Sequence, residues 1–508
     1  MNHGSPLELA SEATPADTAG ASRSSEPSHE TATGSESYAH LGMWDAVSII
    51  VGIVVGMAIF KTPQMVFSNV SGPLQGLACW ALGGLLALIG SLCYAELATA
   101  YPRMGGDYVY LSRAFGRSVG FLFGWARLVV ILTGSIGAMA YAFADYALAF
   151  WSLEASLAVW FAVGSVVVLT CLNLIGVICG KTVQNVLSVI KVLGLILIVV
   201  AGMVWGGGQA MASTQPVAVG FGLAMVFVLY AYGGWNDAAY VAAEVRDRQR
   251  NIPLALILGI SGITVIYLLV NAAYLWVLGF EGVRGSWTPA ADVMQAVVGD
   301  WGSRAISLLI MLSALGAING MIFTGARIYV SMGVDHRMFS WLGRWNSQRG
   351  TPIWSLLVQA AITLVLIVAV GTQLGRDIID GTLRAVWLSP LPWDQYFGGF
   401  DTLVAGTAPV FWVFFLLTGV SLFVLRYREP GVARPFRVPG YPLTPIIFCL
   451  TSAYMLYSSL DYAKWLSALG WVPLAVGVPV YLISKSLGPS RDTGPREDRP
   501  LMGSGDGE

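Results

Sequence analysis

The chain has 508 residues, of which 56% are hydrophobic and only 11% charged, and its mean hydropathy is +0.68. A soluble chain of this length divides into several domains with far more surface charge, so this composition excludes that class and points to one polytopic membrane domain. The net charge of −1 gives no support for nucleic-acid binding, since the two signs balance and are sorted by loop.

Residues 1–40 are rich in Ser, Thr, Ala and Glu, with Arg23 the only strong base. They cannot bury enough surface to offset ordering entropy, and are expected to form a disordered cytoplasmic tail. No basic start with an apolar run marks a signal peptide, so the first span itself would target the chain. Residues 41–486 are expected to form the transmembrane domain and residues 487–508 a second disordered cytoplasmic tail.

About twelve runs are long and apolar enough to span a bilayer, which takes roughly 20 residues each. They lie at 43–70, 74–101, 119–150, 156–178, 182–206, 218–243, 254–279, 302–332, 353–371, 402–426, 441–460 and 465–486. With both termini cytoplasmic, the inner segments hold about 19 of the 28 basic residues and the outer segments about 4 (Arg284, Arg376, Arg384 and Lys464). Basic residues favour the cytoplasmic side, which gives an integral protein of the cell membrane, plasma or inner, with both ends inside. The outer loop at 372–401 carries Trp387, Pro390, Pro392, Trp393 and Tyr396, either on the membrane interface or as a lid.

Cys79, Cys93, Cys171, Cys179 and Cys449 all fall within or at the ends of apolar runs, so no disulfide framework is expected. His3, His29, His40 and His336 are scattered, and neither metal spacing nor a GxxxxGK[ST] loop occurs. No metal and no cofactor is expected. The acids Glu96, Asp237 and Glu244 form no cluster with a nucleophile, which argues against a membrane enzyme.

Two spans contain interruptions. In the first, Gly52-Ile-Val-Val-Gly56-Met57-Ala58-Ile59-Phe60 places glycines inside an apolar run; in the sixth, Tyr230-Ala231-Tyr232-Gly233-Gly234-Trp235-Asn236-Asp237 does the same. Glycine costs about 1 kcal/mol relative to alanine inside a helix. In lipid, loosened backbone survives only where protein, water or ligand satisfies it, and paired broken spans point to a transporter's substrate site. Each break offers N–H donors at the start of one half-helix and carbonyl acceptors at the end of the other. That arrangement suits a zwitterion with adjacent charges, an α-amino acid, without any charged side chain. The bland alternative is that these glycines only let helices pack closely.

GIVVGMAIF (52–60), CYAELATAYPRMGGDYVYLSRAFGRSVGFLFGW (93–125), YAYGGWNDAAYVAAEVRDRQRNIP (230–253) and RYREPGVARPFRVPGYPLTP (426–445) occur in the order and at the spans where they resemble the amino acid, polyamine and organocation transporter superfamily, L-type amino acid transporter-like branch. The resemblance implies an all-α, LeuT-like fold: a five-plus-five inverted repeat with two extra C-terminal helices and broken first and sixth spans. It implies no cofactor and an amino acid substrate held by Gly52, Gly56, Met57, Ala58 and Ile59 of the first break. Tyr230, Ala231, Tyr232, Gly233, Gly234, Trp235 and Asn236 of the sixth span complete that set, with Tyr230 closing over substrate and Asn236 on the pocket floor. Family members carry Gly-Ser-Gly or a similarly small triplet where this chain reads Gly56-Met57-Ala58, so the pocket should be tighter. Lys191, about 13 Å into the fifth span at 1.5 Å per residue, matches a lysine beside the first break whose ammonium replaces the sodium of coupled relatives. The alternative is a lysine that snorkels to the membrane edge.

The expected function is sodium-independent secondary transport of small or medium neutral L-amino acids by alternating access, through exchange or proton-linked uptake. The alternatives are proton-coupled transport of cationic amino acids or polyamines, and a homologue that binds without transporting. On a regular half-helix Asp237 should point away from Asn236, about 100° around, leaving no acid for a cationic side chain. Arg127 and Glu96 are expected to pair, Asn173, Asn271 and Asn319 to bond neighbouring helices, and Lys61 and Asp45 to reach water or headgroups. In the resembling branch, eukaryotic members use a cysteine between spans three and four to hold an accessory subunit. Residues 147–157 contain none, so no disulfide-linked partner is expected; the partners are amino acid and lipid bilayer, and the sequence carries no signal for oligomeric state.

Overall fold

A chain in lipid must satisfy its backbone polar groups within itself, and long apolar runs do so as helices. The computed structural model describes residues 41–207, 220–286, 288–385, 389–391, 393 and 399–488. Both expected tails lie outside these residues, apart from 487 and 488, as do Trp387, Pro392 and Tyr396 of the outer loop. Among the described residues there is no strand, only two isolated β-bridges.

The helices run α1 (Met43–Val54), α2 (Ala58–Phe67), α3 (Pro73–Ala100), α4 (Asp107–Phe115), α5 (Arg117–Ala126), α6 (Leu132–Trp151), α7 (Ala158–Ile175), α8 (Val177–Trp205), α9 (Phe221–Ala231), α10 (Arg248–Gly285), α11 (Pro289–Val298), α12 (Asp300–Asp335), α13 (Ile353–Gly371), α14 (Gln373–Ala385), α15 (Gly399–Arg428), α16 (Leu443–Ala463) and α17 (Ala468–Ser486). A five-residue π-helical turn, Arg127–Ile131, joins α5 to α6, and a ten-residue 3₁₀ segment, Trp235–Glu244, follows α9. Nine helical stretches among the described residues are long and apolar enough to cross a membrane, and the bent α1–α2 pair makes a tenth. The stretch Leu443–Ser486 counts there as one.

The first break is real: α1 and α2 meet at 51° across Val55, Gly56 and Met57. The sixth span breaks at Tyr232-Gly233-Gly234, and its second half is 3₁₀ rather than α. Runs of 3₁₀ helix longer than three or four residues are uncommon and mark hinges or strain.

Close packing rests on small residues. A Cβ at Gly84 of α3 would collide with Thr264 of α10, so these two helices touch backbone to side chain. Long-range hydrogen bonds gather the expected inner segments at one end. Leu41 N–H donates to Glu244 O and Arg246 N–H to Leu41 O, Gly105 N–H donates to Tyr240 O, and Arg428 donates to Ala114 O. At the other end, Gly220 N–H donates to Asn69 O and Gln64 donates to Arg284 O. The expected loop at 372–401 contains a helix, α14, where Asp380 accepts from the Trp393 indole at 3.0 Å and Arg376 lies over the Trp393 ring.

Several expected pairings are corrected. Glu96 does not meet Arg127; its carboxylate takes Arg426 Nε at 2.7 Å and the Val438 amide at 2.7 Å, with Arg434 Nε at 3.6 Å. Arg127 instead pairs with Asp237. Sequence proximity to the same membrane face did not decide the partner, because α15 returns beside α3 and carries its own arginine there. Asn173 and Asn319 do bond across helices, at 2.8 Å, whereas the amide of Asn271 donates to Tyr267 O of its own helix. Asp45 is engaged by Lys181 at 3.2 Å and Asn185 at 2.7 Å, and Lys61 lies 3.9 Å from Asp401.

Candidate transport site

The two breaks face one another. The Tyr267 hydroxyl of α10 lies 3.1 Å from Val54 O and 3.2 Å from Ala231 O, so one side chain serves the final carbonyls of both half-helices. Ser313 of α12 reaches Val55 O at 2.9 Å and Gly56 O at 3.3 Å. Carbonyls freed by the first break are thus answered by hydroxyls, as buried acceptors require. The first N–H groups of α2 lie past the break; that of Phe60 turns to Met57 O at 3.1 Å.

Gly234 makes the second break possible. Its φ of +104° is a conformation L side chains rarely adopt, and a Cβ there would lie 2.7 Å from Ile53 Cγ2. The glycine therefore permits both the reversal and the close approach of the sixth span to the first.

Between the breaks lies a cavity of about 160 Å³, walled by α1, α2, α6, α9, α12 and α15. Of the sequence-predicted residues, Gly56, Met57, Ala58, Tyr230, Ala231, Gly233, Gly234 and Asn236 line it. The other four do not. Gly52 packs against α8, where a Cβ would strike Gln184 and Ser188, and Ile59 is fully buried. Tyr232 packs against Trp80 and Tyr267 and donates to Trp80 O, while Trp235 packs against Tyr94, Phe415 and Phe448. Their side chains leave the cavity because a helix that surrounds a site exposes only one face to it.

A second, larger cavity of about 450 Å³ shares Met57, Ala58 and Tyr230 with the first and extends past Lys61, Phe400 and Asp401. Tyr230 therefore stands where the two spaces meet.

Two charged groups line the smaller cavity, Arg127 and Asp237, and they neutralise one another through a bond of 2.9 Å at 3% exposure each. The sequence expectation that Asp237 points away from Asn236 is overturned: Asn236 Nδ2 lies 3.4 Å from Asp237 Oδ1. The buried Arg127 guanidinium draws the Asp237 carboxylate to the cavity, at 2.9 Å. In a 3₁₀ helix residues three apart eclipse, so Asp237 and Tyr240 share the face toward Arg127, whose guanidinium lies 4.9 Å from the Tyr240 ring centre.

Lys191 of α8 is fully buried and donates to Gly52 O at 2.7 Å, one turn before the break. It does not snorkel to the membrane edge. Among the described residues no cluster of His, Cys, Asp or Glu could hold a metal ion. Sequence reasoning missed Ser313 and Tyr267 as carbonyl partners; their hydroxyls inside apolar runs were the available signal.

The chain matches the profile of the family described as "Amino acid permease" over residues 41–484. It is 29% identical to the b(0,+)-type amino acid transporter 1 of Mus musculus, over 83% of this chain and 82% of that protein. It is likewise 29% identical to the large neutral amino acids transporter small subunit 2 of Mus musculus (87% and 80% covered), and 27% identical to the cystine/glutamate transporter of Homo sapiens (86% and 83%). These relatives are transporters, not enzymes. With its apolar helices and its match along nearly the whole described region, the chain belongs to the amino acid permease family of the amino acid, polyamine and organocation superfamily, and is an integral membrane protein of that all-helical fold.

Proposed function

We propose that the protein is a sodium-independent secondary transporter that moves small or medium neutral L-amino acids across the membrane by alternating access. One observation carries this reading: the cavity between the breaks presents backbone groups for the amino acid zwitterion, while its two lining charges, Arg127 and Asp237, cancel. A cationic or anionic side chain entering it would meet no unpaired opposite charge, and burying an unpaired charge is costly. Met57 and Ala58 add bulk at the first break, which disfavours large side chains at about 1 to 3 kcal/mol per misplaced methylene. The lysine ammonium at Gly52 O supports transport without sodium.

In this reading twelve crossings place both termini in the cytoplasm of a cell whose plasma or inner membrane holds the protein. No disulfide-linked accessory subunit is required, because residues 147–157 lack cysteine. Purified protein in liposomes, loaded with a neutral amino acid and tested for counterflow, checks the reading. Excess alanine, serine, glycine, valine or leucine should block labelled uptake far better than arginine, glutamate or tryptophan. Replacing sodium by potassium should leave uptake unchanged; collapse on replacement, or arginine as the best competitor, overturns the reading.

A further inference from the structure

Asp107 is a buried carboxylate with no counter-ion of its own. It opens α4 at 2% exposure; Oδ2 accepts the Tyr240 hydroxyl at 2.7 Å, and Oδ1 is buried without a partner. Asn236 Nδ2 lies 3.0 Å from Tyr240 Oη and 3.4 Å from Asp237 Oδ1, so one polar chain runs from Asp107 through Tyr240 and Asn236 to Asp237. Asp237 lines the cavity between the breaks and uses the Arg127 guanidinium.

The groups packed around this chain come from every neighbouring element. The hydroxyls of Tyr94 of α3 and Thr418 of α15 face the Asp107 carboxylate, and Tyr110 of α4 stands beside it with a buried hydroxyl lacking a partner; none of the three carries a charge. From α12, Thr324 faces Asp237, and Tyr329 donates to Arg127 O. The nearby Glu244–Arg327 pair, 2.8 Å apart and fully buried, balances itself. What remains is two carboxylates and one guanidinium. Amide dipoles at the start of α4 offset part of the surplus negative charge but supply no counter-ion. A buried carboxylate left in that condition neutralises by taking up a proton.

We propose that Asp107 is a proton-binding site coupled to amino acid movement: its carboxylate forms one O–H bond with a proton drawn from water and returns that proton to water when the Trp235–Glu244 segment moves. That segment carries both Tyr240, bound to Asp107, and Asp237, at the cavity, so its displacement breaks the Tyr240–Asp107 bond and changes how tightly the proton is held. The linkage is reciprocal, and the proton in turn biases the position of the segment. The inference rests on the transport reading above and adds to it the ion that drives uptake.

The test uses full-length protein in liposomes containing a pH-sensitive dye. Adding alanine outside should acidify the lumen, and acid outside should stimulate alanine uptake several-fold. Asp107→Asn, which fixes the site in a neutral form, should keep alanine counterflow at equal pH and lose both the acidification and the stimulation. Persistence of either response in that variant overturns the proposal. Should Asp107→Asn fail to fold, Tyr240→Phe keeps the ring against Arg127 and removes only the hydroxyl; the pH midpoint of uptake should shift, and an unchanged midpoint overturns the proposal. Wild-type counterflow without proton movement overturns the proton site alone. Absence of counterflow with every amino acid overturns the transport reading and the proton site with it.

Discussion

Lys191 Nζ sits 2.7 Å from the carbonyl oxygen of Gly52, joining the middle of α8 to the last full turn of α1 before the break. Lys191 is fully buried and the bond gives its amino group a partner there; an ammonium in the membrane without partners costs about 2.5 kcal/mol or more. The same contact fixes α1 against α8, where Gly52 lacks a side chain and Gln184 and Ser188 close in.

Lys191→Met should therefore lower neutral amino acid uptake at least tenfold while the protein still elutes as a folded species in detergent. Uptake and size-exclusion profiles measured on the same preparation check this. Transport at wild-type rate would show that the ammonium has no part in the cycle.

Gly234→Ala should cost about 1–2 kcal/mol in backbone strain alone, since L-residues resist left-handed geometry, and more from the collision with Ile53. A lowered thermal midpoint together with lost uptake is expected. Gly262→Ala is the control: inside α10 a Cβ there meets no atom within 4 Å, so stability should not fall and should rise by up to about 1 kcal/mol from helix propensity.

Asp237→Asn should change selectivity as well as stability. Breaking a buried ion pair costs about 3–5 kcal/mol because the surviving charge is left unpaired, and here the survivor, Arg127, lines the cavity. Alanine uptake should fall, and glutamate or aspartate should become a stronger competitor relative to leucine. Competition curves against labelled alanine measure both.

Glu96→Gln should destabilise the protein by roughly 3 kcal/mol on the same principle, because Glu96 is 1% exposed and holds Arg426 and the Val438 amide. Glu96 does not line the cavity. The order of competing amino acids should stay as in the wild type while the thermal midpoint drops.

The sequence by itself determined the class and the two breaks. Apolar length and glycine placement are local properties, so Gly56 and Gly233-Gly234 could be read as interruptions without knowing any contact. Helix α14 was also legible: Leu374, Ile378, Ile379 and Leu383 recur at helical spacing, but the aromatic residues of that loop drew the reading elsewhere.

Only the tertiary structure decided which charges meet. Arg127 and Asp237 are 110 residues apart, and Glu96 and Arg426 are 330 apart, so no spacing rule joins them. The choice of partner depends on which helices pack side by side. Tertiary structure also decided the face that Asp237 presents. The 3₁₀ winding of Trp235–Glu244 sets Asp237 and Tyr240 on one side, where the buried Arg127 guanidinium, 2.9 Å from Asp237 and 4.9 Å from the Tyr240 ring centre, holds the carboxylate at the cavity. That winding is set by the packing of the segment against its neighbours, which residue propensities in one short stretch do not encode.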